Sequence, residues 1–164
     1  MENVILETAR TLASEADTVE NAVVLYEDGH ALRLKGSRYG VAIPLVTNHG
    51  RAVAVIHTHP VPRTSPSLPD LRVLFSMAKL GVPSPKLVTV YSEGNTALVT
   101  VYTARAPLPP DIEELLTKHA LDYEFMNIQS GFDPKVSEKQ VREQHALLSR
   151  LGVSVERYKI KIAS

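Results

Sequence analysis

Apolar residues recur along this chain with two periods, and the switches between them lay out its elements. Ile5, Ala9, Leu12 and Ala16 return every three to four residues and predict an N-terminal helix. The run Glu20-Asn21-Ala22-Val23-Val24-Leu25-Tyr26 is β-rich, and Val23 to Tyr26 with Asp28-Gly29 and His30 to Leu34 predicts a tight hairpin. Tyr39 to Val46 is a third strand candidate, confined by Pro44 to an edge or a bulge. Arg51 to His59 is a longer, largely apolar strand, expected to be central and buried. Leu71, Leu74, Phe75 and Ala78 go back to helical spacing. Lys86 to Tyr91 and Thr96 to Thr103 then predict a second hairpin around Glu93-Gly94-Asn95. Strands and helices in this order place the chain in the α/β (α+β) class.

Pro107-Leu108-Pro109-Pro110 punctuates the chain, so a core over 1–106 and an extension over 107–164 are expected, the second packed on the first. In the extension Ile112, Leu115, Leu116 and His119 suggest one helix. Ser137 with Gln140 is expected to cap another, carrying Val141, Leu148 and Leu151. Val153 to Ile162 closes as a partly alternating strand. No internal repeat or low-complexity segment is present.

The densest chemistry lies where the central strand gives way to the second helix. His57-Thr58-His59-Pro60 puts two imidazoles two residues apart, and in a strand such residues project from one face. Ten residues lie between His59 and Asp70, enough for a loop that turns back and starts a helix. Ser67 precedes the apolar stripe with Asp70 three residues on, close to a capping box, and Pro69 falls in the first turn, where a missing N–H costs nothing. Gly81 follows the stripe as a C-cap candidate. Asp70 would therefore project from a helix N-terminus, whose partial positive charge favours the ionised carboxylate. Two neutral nitrogens and a carboxylate make a three-ligand set, which leaves a tetrahedral zinc one open position for water. Ser67 can accept a backbone N–H and still donate its hydroxyl proton. His49, just before the same strand, is the one alternative third ligand and is set aside because of the spacing to Asp70, whereas His30, His119 and His145 are scattered singly.

These residues carry a resemblance. His-x-His-Pro followed by Pro-Ser-x-x-Asp, here His57 to Pro60 and Pro66 to Asp70, is similar to the core signature of the JAMM (MPN+) zinc metallopeptidases. Six identities at this spacing arise by chance on the order of 10⁻⁸ per starting position. The resemblance implies a curved mixed β-sheet flanked by helices, a cytidine-deaminase-like core, with Zn²⁺ on His57, His59 and Asp70. It also implies an upstream glutamate where the first strand begins, a place that Glu20 occupies, with Glu15 and Glu27 as competitors. Glu20 would move protons between water and the leaving amine, and Ser67 would stabilise the oxyanion. Family members cleave peptide or isopeptide bonds at the C-terminal tails of ubiquitin-like or sulfur-carrier proteins, so such proteins are the expected partners. Relatives that are non-catalytic scaffolds usually lack the histidines or the aspartate. A general small-peptide metallopeptidase is the other alternative. The short connections at Thr47 to Gly50 and Glu93 to Asn95 resemble compact archaeal or bacterial-type members, and without a lid an extended tail would be held at the sheet edge. The resemblance does not reach the extension.

Composition narrows the classes that remain. Eighteen basic and eighteen acidic residues cancel, so neither nucleic acid nor an anionic membrane is an expected partner. The absence of cysteine removes disulfides, a thiol nucleophile and thiolate ligands together. No apolar run approaches membrane-spanning length, and the first residues lack the layout of a signal peptide, which makes the cytoplasm the expected location. Oligomeric state is left open.

Overall fold

The computed structural model describes residues 2–15, 19–36, 42–59, 66–131 and 133–162. Helix α1 spans Glu2–Ser14, and strands β1 (Asn21–Tyr26) and β2 (Ala31–Lys35) form the first hairpin. The short strand β3 (Val46–Thr47) leads into β4 (Gly50–Thr58), and helix α2 (Leu68–Lys79) connects β4 to β5 (Lys86–Glu93). Strand β6 (Thr96–Ala104), helices α3 (Pro110–Gln129) and α4 (Pro134–Arg150), and strand β7 (Val153–Lys161) complete the chain. The order across the sheet is β2-β1-β4-β5-β6-β7, with β3 paired to the start of β4. Among the described strands β4 and β5 run parallel and the other pairs antiparallel, so the sheet is mixed. A parallel neighbour requires a crossover, and α2 is that crossover.

Two cores follow from the pleat. Ile5, Ala9 and Leu12 of α1 bury themselves against Leu25, Ile56, Val88 and Val99 on one face. On the other, Leu71, Leu74 and Phe75 of α2, Leu116 and Ala120 of α3 and Leu148 of α4 pack against Val24, Val55, Leu87 and Tyr102. Strand β4 is buried on both faces, which is why its sequence is apolar almost throughout. The pairing of β1 with β4 contains one bulge: Leu25 faces Ala54 but Tyr26 faces Ala52, leaving Val53 as the extra residue. Alternation therefore changes phase there, so Ala52 and Val55 share the α2 face although they are three apart.

Several expectations are corrected. The third strand is only Val46–Thr47; residues 42–45 have no regular structure, and Tyr39 to Val41 lie outside the described residues, as does Ala16 of the first helix stripe. Helix α4 is capped by Asp133, which accepts the Lys135 N–H, and Ser137 lies inside the helix. An Asp before a Pro at the first helical position starts a helix better than a serine four residues later, because the proline has no N–H to satisfy. Strand β7 pairs along β6 from Ala104↔Val153 to Thr96↔Lys161, so the extension supplies an edge of the sheet. Its early residues Val153 and Val155 face the helices α2 to α4, and its later ones, Tyr158 and Ile160, face α1. No described helix is long and apolar enough to cross a membrane.

Candidate metal centre

The end of β4 and the start of α2 meet on one face of the sheet. Ala22 of β1 lies across from His57 and shares the α2 side with Val24 and Val55. His57 is the penultimate residue of β4, and His59 stands one place past its end, where its N–H still bonds the Val90 carbonyl at 2.9 Å. That bond keeps the chain extended, so both imidazoles project to the α2 side, 3% and 5% exposed. Their ring centroids are 4.8 Å apart with the planes 54° from each other. Thr58, between them, points the other way: its Oγ1 accepts the Asn21 N–H at 3.0 Å and pins the beginning of β1 to the end of β4.

Asp70 reaches the same point from the helix. Ser67 is the N-cap of α2 in extended conformation, and its Oγ accepts the Asp70 N–H at 3.2 Å. In return Asp70 Oδ2 accepts the Ser67 N–H at 2.8 Å, which completes the capping box. At its other end α2 is closed by Gly81 at φ +85, whose N–H bonds the Ala78 carbonyl while the Val82 N–H bonds that of Met77. This left-handed residue is the stop expected at Gly81. The carboxylate that completes the capping box is thus also the one facing the histidines.

Asp70 Oδ1 lies 3.2 Å from His57 Nε2, and Oδ2 lies 3.3 Å from His59 Nε2. One donor atom from each of the three side chains lies within 4.8 Å of the other two, so the group could hold a metal ion. The same separations are within hydrogen-bonding reach, and His59 Nε2 with Asp70 Oδ2 makes such a contact. Burial alone would push the Asp70 carboxyl up, but the facing His57 and His59 rings and the Ser67 N–H outweigh it and hold it well below the usual carboxylate range.

Glu20 immediately precedes β1, and its carbonyl accepts the Gly36 N–H. Continuing the register Ala22↔His57 by two places brings Glu20 across from His59, on the side of the sheet that carries both imidazoles. The competing glutamates are engaged elsewhere. Glu27 holds Arg51 at the opposite end of β4, the hydrogen bonds from Arg51 lowering its carboxyl pKa, and Glu15 pairs with Arg33. His49 is also at the far end. Its ring stacks on His30 at 3.7 Å and its Nδ1 lies 2.7 Å from Asp28 Oδ2, and eight strand residues put it about 26 Å from His57. Pro60 lies outside the described residues.

Two features were invisible in the sequence pattern. The strand that carries the histidines is flanked on both sides, and the nearer edge, β2, lies two strands away, about 10 Å. A tail added at that edge would have to leave it to reach His57. The second is Glu124 of α3, whose Oε1 accepts the Leu68 N–H at 3.0 Å at the start of α2. No local signal marks it, because its partner is 56 residues away.

Ser67 has a stability role that can be measured apart from any chemistry. Ser67→Ala removes the side-chain half of the capping box, and a loss of about 1 kcal/mol in unfolding free energy is expected. The metal should stay bound, because Asp70 keeps its bond from the Ser67 backbone N–H, which alanine also has. Denaturant unfolding and metal analysis of the same preparation check both halves. No protein-family model, curated protein or solved structure matches this chain.

Proposed function

We propose that this chain is a zinc-dependent peptidase or isopeptidase of the JAMM type, cleaving after the C-terminal Gly-Gly of a ubiquitin-like or sulfur-carrier protein. The observation that carries the reading is the convergence of His57, His59 and Asp70 at the mouth of a capped helix. Two imidazole nitrogens and one carboxylate oxygen suit Zn²⁺ and leave a position for water, as catalytic zinc sites do. A mixed sheet with helices on both faces is compatible with the cytidine-deaminase-like core that such enzymes share.

When bound, zinc supplies a Lewis acid that acidifies water and polarises the scissile carbonyl. The chain's own residues do the rest. Glu20 takes a proton from the attacking water, whose oxygen forms the new bond to the carbonyl carbon. The Ser67 hydroxyl donates to the oxygen that becomes negative, a contact worth roughly 3–4 kcal/mol in other hydrolases. Glu20 then returns the proton to the amine nitrogen as the C–N bond breaks. His57 and His59, nearly buried, and Asp70, locked by its cap, keep this arrangement from relaxing.

Glycine at the cleavage site is the steric requirement of such a centre, because the substrate backbone can approach the ligands closely only where it carries no side chain. Among the described connections at the site end of the sheet, the one from β5 to β6 is the two-residue turn Gly94-Asn95. Discrimination among the groups attached beyond Gly-Gly is therefore expected to be weak. A panel of zinc-loaded reactions with ubiquitin-like fusions tests this, each fusion ending in Gly-Gly or in Ala-Ala before the scissile bond. Cleavage confined to the Gly-Gly members is expected. Equal rates for both would make the chain a general peptidase, and no cleavage of any fusion or peptide would leave it a binding module.

A further inference from the structure

The first turn of a helix leaves N–H groups without intrahelical partners, and a site built on that turn is only as rigid as the bonds that satisfy them. In α2 the first three positions are Leu68, Pro69 and Asp70. Proline has no N–H. Asp70 donates to Ser67 Oγ at 3.2 Å. The Leu68 N–H is the one that the capping box leaves over, and it donates to Glu124 Oε1 at 3.0 Å. Glu124 stands on α3, in the segment beyond the prolines. An acceptor oxygen at this place satisfies an N–H that the turn itself cannot.

We propose that Glu124 is a positioning residue of the metal centre: through the Leu68 N–H it fixes the first turn of α2, and with it the Asp70 carboxylate and the Ser67 hydroxyl. The extension thereby becomes a working part of the site. The inference rests on reading His57, His59 and Asp70 as metal ligands. Asp70 is the third residue of the turn and the cap Ser67 precedes Leu68 directly, so a rotation of Leu68 moves both. Ligand geometry tolerates little displacement, and loss of a hydrogen bond that orients a metal ligand typically costs 10- to 100-fold in affinity or activity, to order of magnitude.

The geometry separates this role from general docking of the two helices. Leu116 and Ala120 of α3 share a buried cluster with Leu71 and Leu74 of α2. Lys79, at the far end of α2, also reaches α3, with its Nζ 2.8 Å from Glu113 Oε2. Helix contact therefore survives without Glu124, and Lys79→Ala serves as the control that weakens the contact without touching the first turn.

Cobalt(II) is the probe, because its visible absorption reports ligand geometry and its titration gives affinity without any substrate. Glu124→Ala, and Glu124→Asp, whose carboxylate is one methylene too short, are expected to bind cobalt about 10- to 100-fold more weakly with an altered spectrum. Glu124→Gln keeps an acceptor oxygen at the same reach and should restore affinity and spectrum, while Lys79→Ala should change neither. In the metal-free protein the Leu68 amide should exchange its hydrogen faster in the Ala and Asp variants than in the wild type or the Gln variant.

Unchanged affinity and spectrum in Glu124→Ala would overturn the proposal, as would an equal loss in Lys79→Ala. A Gln variant as weak as the Ala one would also overturn it, since charge rather than position would then be acting. If Glu124→Ala does not fold, the contrast between the Gln and Asp variants decides the same question. A wild-type protein that takes up no cobalt would overturn the metal centre and this role with it. One that responds as expected but cuts no Gly-Gly fusion would overturn only the peptidase reading.

Discussion

His59→Ala is expected to take zinc binding from one ion per chain to none after loading at neutral pH, and to bring hydrolysis down to the uncatalysed background. The reason is geometric. Asp70 spans both histidines, one carboxylate oxygen near each Nε2, so removing either ring dissolves a three-point arrangement into a two-point one. The loss should exceed the ~100-fold that a missing supporting hydrogen bond costs, because a ligand itself is gone. The fold should survive. Asp70 keeps its bond from the Ser67 N–H, and the core beneath, Leu71, Leu74 and Phe75 against Val55 and Leu87, does not include position 59. Metal analysis with a circular dichroism spectrum of the same sample makes the measurement. A wild-type protein that takes up no zinc under these conditions would sink the site.

Glu20→Gln should do the reverse, keeping the metal and losing turnover by about 10²- to 10⁴-fold, the usual contribution of a positioned general base. Glutamine has the same length and cannot take a proton. The register that carries Glu20 to the place across from His59 is fixed on both sides, by Ala22↔His57 in β4 and by the Gly36 N–H on the Glu20 carbonyl. The substitution should therefore leave the strand in place. Single-turnover hydrolysis beside zinc stoichiometry separates the two effects. Normal turnover would take the base role from Glu20. Glu27 is held by Arg51 at the opposite end of β4, and Glu15 pairs with Arg33.

What could be read from the sequence was whatever depends on neighbours along the chain. The helix α2 is such a case. Ser67, Pro69, Asp70 and Gly81 are local signals, and each does in the structure what its position along the helix demands. The two hairpins are others, because turn residues at Asp28-Gly29 and Gly94-Asn95 act over four residues. The burial of β4 and the shared face of His57 and His59 follow from its apolar run and the period of two. The start of α4 was equally local, and Asp133-Pro134 was the signal that should have outweighed Ser137.

The tertiary structure decided what depends on which strand lies beside which. Pairing of β1 with β4 brings Glu20 across from His59 and leaves His49 at the far end of β4, since a register is a property of two strands and not of one. The bulge at Val53 changes the phase of alternation within β4, an effect that the composition of the strand does not encode. The extension's place at the sheet edge came from β7 finding β6 across two intervening helices. The bond from Leu68 to Glu124 closes over 56 residues, and such a contact forms only because two helices already share a core. The sequence alone determined that His57 and His59 share a face and that Asp70 stands in the first turn of a capped helix, because strand alternation and helix capping act within a few residues. Only the tertiary structure determined that these three side chains meet, that Glu20 lies across from His59 and that Glu124 reaches the Leu68 N–H, because those depend on packing between segments far apart in the chain.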